Sequence, residues 1–232
     1  MHQLENKIAL ITGAKGGLGT FVTKAFLAAG AQVAGVSRSI QRSDFPDARF
    51  IPIAAELSTA DHARAAVNQV LERFQRIDIL VHLVGGFAGG KPVAETDDAT
   101  LEHLLDVNLR SAFYLSRAVI PPMRRAGAGR IIAIGSRLAL EPVANVAAYS
   151  LSKAALVSLV RTIALENKEA AMTANIILPG TMDTAVNRAA DPKADFSTWV
   201  HPAQVASLAV WLASGDASDV NGAAIPIYGK AL

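Results

Sequence analysis

The sequence predicts a single α/β domain, a doubly wound parallel sheet with helices on both faces. Three observations predict it. Short runs rich in Val and Ile alternate with longer segments of helical period. Those runs are nearly continuous in apolar residues, as strands are when both faces of their sheet are covered. The composition, 51% hydrophobic and 18% charged over 232 residues, excludes disorder and suits one large core spanning 1–232.

Taken in order, Ile8–Thr12 reads as a first strand, followed by a helix from about Gly17 to Ala29. Gln32–Ser37 and Phe50–Ala54 read as the second and third strands. From Thr59 to Phe74, the apolar spacing of Ala63, Ala66, Val67, Val70, Leu71 and Phe74 is that of an amphipathic helix. Ile79–Val84 is a fourth strand, leading into a glycine-rich loop, Gly85–Lys91. A helix opening near Thr96 or Asp97 carries Leu101, Leu104, Leu105 and Val107 and runs to about Ser116. Arg130–Ile134 and Ala174–Leu178 are the fifth and sixth strands, separated by a long helix, Ala148–Glu166. After a polar loop, Pro202 suits the first turn of a helix reaching about Ser214. Ala224–Tyr228 reads as the last strand, with Pro226 indicating an edge position or an irregularity.

Charge and composition exclude several function classes. With 22 Lys+Arg against 20 Asp+Glu the net charge is +2, too little for a nucleic-acid footprint, and no basic cluster is interleaved with aromatics. No run approaches the ~18 apolar residues of a membrane span. Residues 1–7 reach a charge at Glu5 directly before a strand-like run, so no signal peptide is expected there. Cysteine is absent, and His2, His62, His82, His103 and His201 lack metal-ligand spacing, so no metal site is expected. These features describe a cytoplasmic protein whose partner is a small molecule rather than nucleic acid or membrane.

The first strand runs into Thr12-Gly13-Ala14-Lys15-Gly16-Gly17-Leu18-Gly19 and then into a helix. Glycines allow positive φ and close approach of the backbone to a pyrophosphate, and a helix N-terminus offers unpaired N–H groups. The strand–turn–helix context makes the domain Rossmann-type rather than merely tightly turned. Domains that select NAD(H) carry Asp or Glu at the tip of the second strand. Here that tip reads Val36-Ser37-Arg38-Ser39. A guanidinium there can bind a 2′-phosphate, and Lys15 adds a second cation, so NADP(H) is expected over NAD(H). The alternative is that Arg38 is a solvated loop arginine.

Tyr149-Ser150-Leu151-Ser152-Lys153 opens the long helix. Positions i and i+4 share a helix face, so phenol and ammonium point the same way. A cation near a phenol favours the phenolate and brings it towards proton exchange at neutral pH. Such a pair alone also fits a solvated helix face. Its place after Ile134-Gly135-Ser136 and before Leu178-Pro179-Gly180 points instead to the carboxyl edge of the sheet, where open α/β sheets bind ligands. The Ser136 hydroxyl could donate to a substrate carbonyl there, or serve only its own turn.

Thr12-Gly13-x3-Gly17-x-Gly19, Val107-Asn108, Ser136, Tyr149-x3-Lys153 and Pro179-Gly180 together resemble the short-chain dehydrogenase/reductase family over essentially the whole chain. The resemblance implies a catalytic set of Asn108, Ser136, Tyr149 and Lys153. Tyr149 would be the general acid and Ser136 would orient the carbonyl. Lys153 would bind the nicotinamide ribose and lower the phenol pKa, while Asn108 would support a water-linked proton path. It implies dinucleotide contacts from Gly13, Lys15, Gly17, Leu18 and Gly19 in the turn, and from Ser37 and Arg38 at the second strand. Glu56, Leu57 and Gly85 would line the adenine side, with Asn108, Tyr149, Lys153, Pro179, Gly180 and Thr181 around the remainder. The family's Asn-Asn-Ala-Gly is replaced by His82-Leu83-Val84-Gly85, of which only Gly85 matches.

A narrower resemblance is to dihydropteridine reductases. It lies in Gly85-Gly86-Phe87-Ala88-Gly89-Gly90 and in Asp183-Thr184, Asn187-Arg188, Pro192, Ala194-Asp195-Phe196-Ser197 and Trp199. Those enzymes lack the active-site serine, whereas Ser136 and Asn108 are present here. The implied function is NADPH-dependent reduction of a carbonyl, or the reverse oxidation. Alternatives are reduction of a quinonoid dihydropterin and a regulator that senses nicotinamide cofactors without turnover. A homo-oligomer is expected, a tetramer before a dimer. The helices near Leu101–Ser116 and Ala148–Glu166 are apolar on more than one side, and the family pairs subunits through them.

Overall fold

The computed structural model describes residues 3–230; His2 and the outermost residues of the 1–232 span lie outside them. Seven strands form one parallel sheet: β1 (Ile8–Thr12), β2 (Gln32–Ser37), β3 (Phe50–Ala54), β4 (Ile79–His82), β5 (Gly129–Ile134), β6 (Met172–Pro179) and β7 (Ala224–Ile227). Their spatial order is β3-β2-β1-β4-β5-β6-β7. The chain therefore reverses its direction of travel between β1 and β4, and a ligand crevice opens outside the carboxyl ends of strands at such a point.

Helices α1 (Gly17–Ala28) and α7 (Pro202–Ala213) bury Val22, Phe26, Val205 and Ala209 on one face, with Ile11, Val81 and Ile132 of the sheet. Helices α2 (Ala60–Phe74), α4 (Ser111–Ala126) and α5 (Ala147–Asn167) cover the other, packing Val67, Leu115 and Val160 on Leu10, Leu80 and Ile131. Alternate residues of each central strand thus point into two separate cores, which is why those strands carry no polar face. The short helices α3 (Asp98–Leu105) and α6 (Ala185–Ala190) lie in the connections after β4 and β6.

The elements agree with the sequence expectation, with informative differences. β4 stops at His82 rather than Val84, because the Leu83 N–H turns away to donate to Thr12 Oγ1 at 3.2 Å. Instead of one helix ending near Ser116, α3 passes through a π-helical turn, Asp106–Arg110, into α4, which continues to Ala126 through Pro121 and Pro122. The lost Pro N–H donors argue against such a helix. Burial of Leu115, Val119 and Met123 along its inner face outweighs them. Pro226 lies in β7, the outermost strand, as its missing donor requires.

By length and mean hydropathy alone the segment 147–170 could cross a membrane, although Lys153, Arg161 and Glu166 interrupt it. Half of its most apolar stretch is buried inside the protein, and α5 packs on β6, as a core helix does.

Candidate active site

The turn after β1 is built on backbone contacts that exclude side chains. Gly13 has φ +67°, and a Cβ on Gly19 would stand 2.0 Å from the Gly13 carbonyl oxygen. Gly16 caps α1 with no side-chain hydrogen bond, and no acidic residue lies in the first helical turn. The leading N–H groups of α1 and its positive dipole end are therefore left for an anion. A dinucleotide pyrophosphate fits this cradle. Leu18 sends its side chain into the core beneath it, so only its backbone faces the crevice.

Beside the turn, the Lys15 N–H donates to Ser37 Oγ (3.1 Å), and Arg38 is exposed. On the far side of β2, Glu56 is exposed while the Leu57 side chain is buried with α2. Leu57 can thus offer an adenine only its backbone. At the end of β6, the Gly180 N–H donates to Ile227 O (3.0 Å), and the Thr181 carbonyl accepts from the Val200 N–H (2.8 Å). That places Pro179, Gly180 and Thr181 at the root of the segment carrying α6. Thr184, which caps α6, stands against Gly17 across the turn.

The four polar residues singled out in the sequence lie together at the carboxyl edge. Asn108 is fully buried in the π-helical turn. Its Oδ1 accepts from the Gly86 N–H (2.9 Å), and its Nδ2 donates to Gly86 O (3.1 Å) and Ser152 Oγ (3.0 Å). Ser152 Oγ in turn donates to the Tyr149 carbonyl (2.8 Å). A Cβ on Gly85 would come within 2.8 Å of Asn108 Oδ1 and 3.2 Å of Lys153 Nζ, so only glycine leaves these groups their places. Lys153 Nζ donates to Ile134 O (2.9 Å) and lies 6.0 Å from the centre of the Tyr149 ring. Ser136 accepts from the Leu138 N–H (3.2 Å) and hydrogen-bonds the Tyr149 phenol.

The electrostatics differ from the sequence expectation. Burial raises the Tyr149 pKa, and the opposing influence is the Ser136 hydrogen bond rather than the Lys153 charge. Burial lowers Lys153 to about 8. The Lys153 ammonium is held on the Ile134 carbonyl, on the Tyr149 side of the helix as the i, i+4 spacing predicts.

Two residues named in the sequence make contacts that the sequence did not show. Phe87 packs edge-on to Tyr149, with ring centres 5.0 Å apart, while remaining 66% exposed. The other is His82, buried between the first strand and α4. Ser111 Oγ donates to Val107 O (2.8 Å), so it must accept from His82 Nε2 (3.3 Å). Nδ1 is then the acceptor for the Thr12 hydroxyl (3.1 Å), whose oxygen receives the Leu83 N–H. One directed chain thus joins β1, β4 and the π-helical turn. Burial, with the Lys153 charge nearby, holds the imidazole neutral with its pKa lowered to about 3. The signal in the sequence was the replacement of an expected asparagine by histidine.

The chain matches the model of the short chain dehydrogenase family over residues 7–195, and it belongs to that family of oxidoreductases. It is 33% identical to 2-dehydro-3-deoxy-D-gluconate 5-dehydrogenase of Pseudoalteromonas atlantica, over 97% of this chain and 96% of that protein. It is 30% identical to the 3-oxoacyl-[acyl-carrier-protein] reductase FabG of Salmonella typhimurium, over 97% of each. Among solved structures, a short-chain dehydrogenase/reductase from Serratia marcescens superposes with a TM-score of 0.91 at 30% identity, over 99% of each chain.

The His82 chain has a measurable consequence. An unfolded histidine takes up a proton near 6.5, whereas the folded one stays neutral to about 3. Stability from this group is complete above the higher value and is lost as pH falls through that window, by at most about 1.4 kcal/mol per pH unit. Nitrogen NMR should show an Nε2–H tautomer that does not titrate between pH 8 and 5. His82→Asn should flatten the acid limb of the urea-unfolding curve. A His82 midpoint near 6 would refute the assignment.

Proposed function

We propose that this chain is an NADP(H)-dependent enzyme that interconverts a carbonyl and an alcohol on a small molecule, within one domain that holds both cofactor and substrate. The observation that carries this reading is the convergence of Ser136, Tyr149, Lys153 and Asn108 beside a glycine turn with an uncapped helix end. When bound, the nicotinamide supplies the hydride, or accepts it in the reverse direction.

The chain's own residues orient the reactants and move the proton. Gly13, Gly17 and Gly19 let the turn approach the pyrophosphate, and Pro179, Gly180 and Thr181 border the nicotinamide half. Ser136 directs its hydroxyl to the substrate oxygen, and Tyr149 donates its proton to that oxygen as charge develops there. A phenol kept protonated by burial suits an acid. Lys153 binds the ribose next to the phenol; transferring its ammonium from Ile134 O towards Tyr149 would stabilise the phenolate left behind. The Asn108 amide is fully engaged by Gly86 and Ser152. Its part in a proton path is therefore to hold the π-helical turn in place.

Arg38 supports the cofactor preference. It is exposed, with no ion pair among the described residues, at a strand tip that lacks a carboxylate. Phe113, Leu151 and Leu165 leave an apolar surface on α4 and α5, 46%, 55% and 72% exposed respectively, which supports a homo-oligomer, a tetramer before a dimer. A cytoplasmic location belongs to the same reading. A second reading, reduction of a quinonoid dihydropterin, is favoured by the Phe87 ring on Tyr149 and by the Phe196–Trp199 pair, 4.8 Å between centres, after α6. Flat unsaturated rings pack well on such surfaces. A turnover screen of carbonyl compounds and quinonoid dihydropterin with NADPH separates the two. Binding of NADPH with no turnover of any would favour a cofactor sensor.

Tyr149→Phe removes the donated proton and little volume. We expect kcat to fall about 10²–10⁴-fold with NADPH binding nearly unchanged. Retention of more than about half of kcat would show another acid. Arg38→Ala should weaken NADPH binding roughly 10–150-fold while changing NADH binding much less. Fluorescence titration with both cofactors checks this, and equal losses would remove the case for NADP(H). Light scattering at micromolar concentration should report an oligomer. A clean 24.3 kDa species would overturn that expectation.

A further inference from the structure

We propose that Asp44 is a specificity-determining residue of the dinucleotide site: its carboxylate sits on Lys15 where a cofactor 2′-phosphate would bind, and the phosphate enters by exchange with it. This rests on the reading of the glycine turn and the β2 tip as the cofactor site.

The Lys15 side chain, though 42% exposed, is held at both ends. Its backbone N–H already ties the turn to Ser37, and its ammonium crosses to the Ser39 carbonyl (3.2 Å) and to Asp44 Oδ1 (2.9 Å). The lysine therefore spans the space between the glycine turn and the loop after β2, beside the exposed Arg38. Asp44 is held in position as well. Its second oxygen accepts the Gln41 N–H (2.8 Å), closing a reciprocal cap on the short turn Arg42–Asp44. The next residue, Phe45, is buried against Phe50 with ring centres 4.8 Å apart, and Arg42 donates to the Phe50 carbonyl. The acid is thus anchored through the core and only 22% of its side chain is exposed. The Lys15 hydrogen bond keeps its carboxyl below the usual carboxylate range, so it is ionised at neutral pH.

A carboxylate and a phosphate dianion compete for one ammonium. With Asp44 in place, the Lys15–Arg38–Asp44 group carries one net positive charge; without it, two. A dinucleotide with a 2′-hydroxyl need not displace the carboxylate, and one with a 2′-phosphate must. Asp44 therefore moderates a preference that Lys15 and Arg38 create, leaving NAD(H) usable.

The variant is Asp44→Asn, which keeps the shape and an acceptor for the Gln41 N–H; Asp44→Ser is the second, should the first lower the Tm. Dissociation constants are measured for NADPH, NADH and 2′,5′-ADP, a probe that carries the phosphate without the nicotinamide. NADPH and 2′,5′-ADP should bind about three- to tenfold more tightly in the variant, with NADH within twofold of wild type. Unchanged or weaker NADPH binding by a folded variant would overturn the proposal. So would a tenfold loss of NADH, which would make Asp44 a ribose-binding acid. If wild type binds neither dinucleotide, the cofactor reading and this proposal fall together. If wild type prefers NADPH and Arg38→Ala abolishes that preference while Asp44→Asn changes nothing, only this proposal falls.

Discussion

The pairing of Thr12 with His82 across β1 and β4 is the contact on which the rest of the site depends. At this point the strand order reverses, and both strands end within a residue of each other, opening the crevice. Side-chain hydrogen bonds reinforce the backbone register. Thr12 receives the first N–H beyond β4, and His82 carries the chain on to Ser111 and Val107. The glycine turn, the glycine-rich loop and the π-helical turn are thereby held to one another. A buried imidazole serves this only when neutral, and the surrounding low dielectric keeps it so.

Asn108 is the second hinge of the arrangement. A π-helical turn inserts one extra residue into a helix and so redirects a side chain. Here it sends the amide inward, where three hydrogen bonds tie the Gly86 backbone to Ser152 and hence to the Tyr149 turn of α5. Such fully satisfied buried networks fix a single geometry. The absence of a side chain at Gly85 is a condition of that geometry.

Several cations around the crevice are already engaged before any ligand arrives. Lys15 is paired with Asp44 and Arg137 with Glu141 at 2.6 Å, while the Lys153 ammonium donates to the Ile134 carbonyl without losing its charge. Arg137 also stacks on Tyr228, 4.9 Å from the ring centre, at the side of the site nearest β7. At Lys15 and Lys153 binding must therefore exchange existing partners, whereas the leading N–H groups of α1 and the Arg38 guanidinium are open to a ligand. Selectivity then follows from what each ligand displaces.

The strand–helix alternation, the glycine turn, the edge position of Pro226 and the Tyr149–Lys153 face were legible in the sequence. Each follows from local steric rules or from side-chain period. Those rules act within a few residues, so they can be read from neighbours alone. The continuation of α4 through Pro121 and Pro122 was not legible, because burial against α2 overrides local propensity. Nor were the partners of Asn108, the tautomer of His82, the raised Tyr149 pKa or the Lys15–Asp44 pair. These depend on residues up to 70 positions apart, as Thr12 and His82 are, and on a dielectric that exists only once both cores have closed. The sequence by itself determined the sheet, its two covering layers and which polar groups meet at its carboxyl edge. The tertiary structure decided which of those groups bond to one another and in what charge state, because hydrogen-bond direction and desolvation are properties of the packed whole.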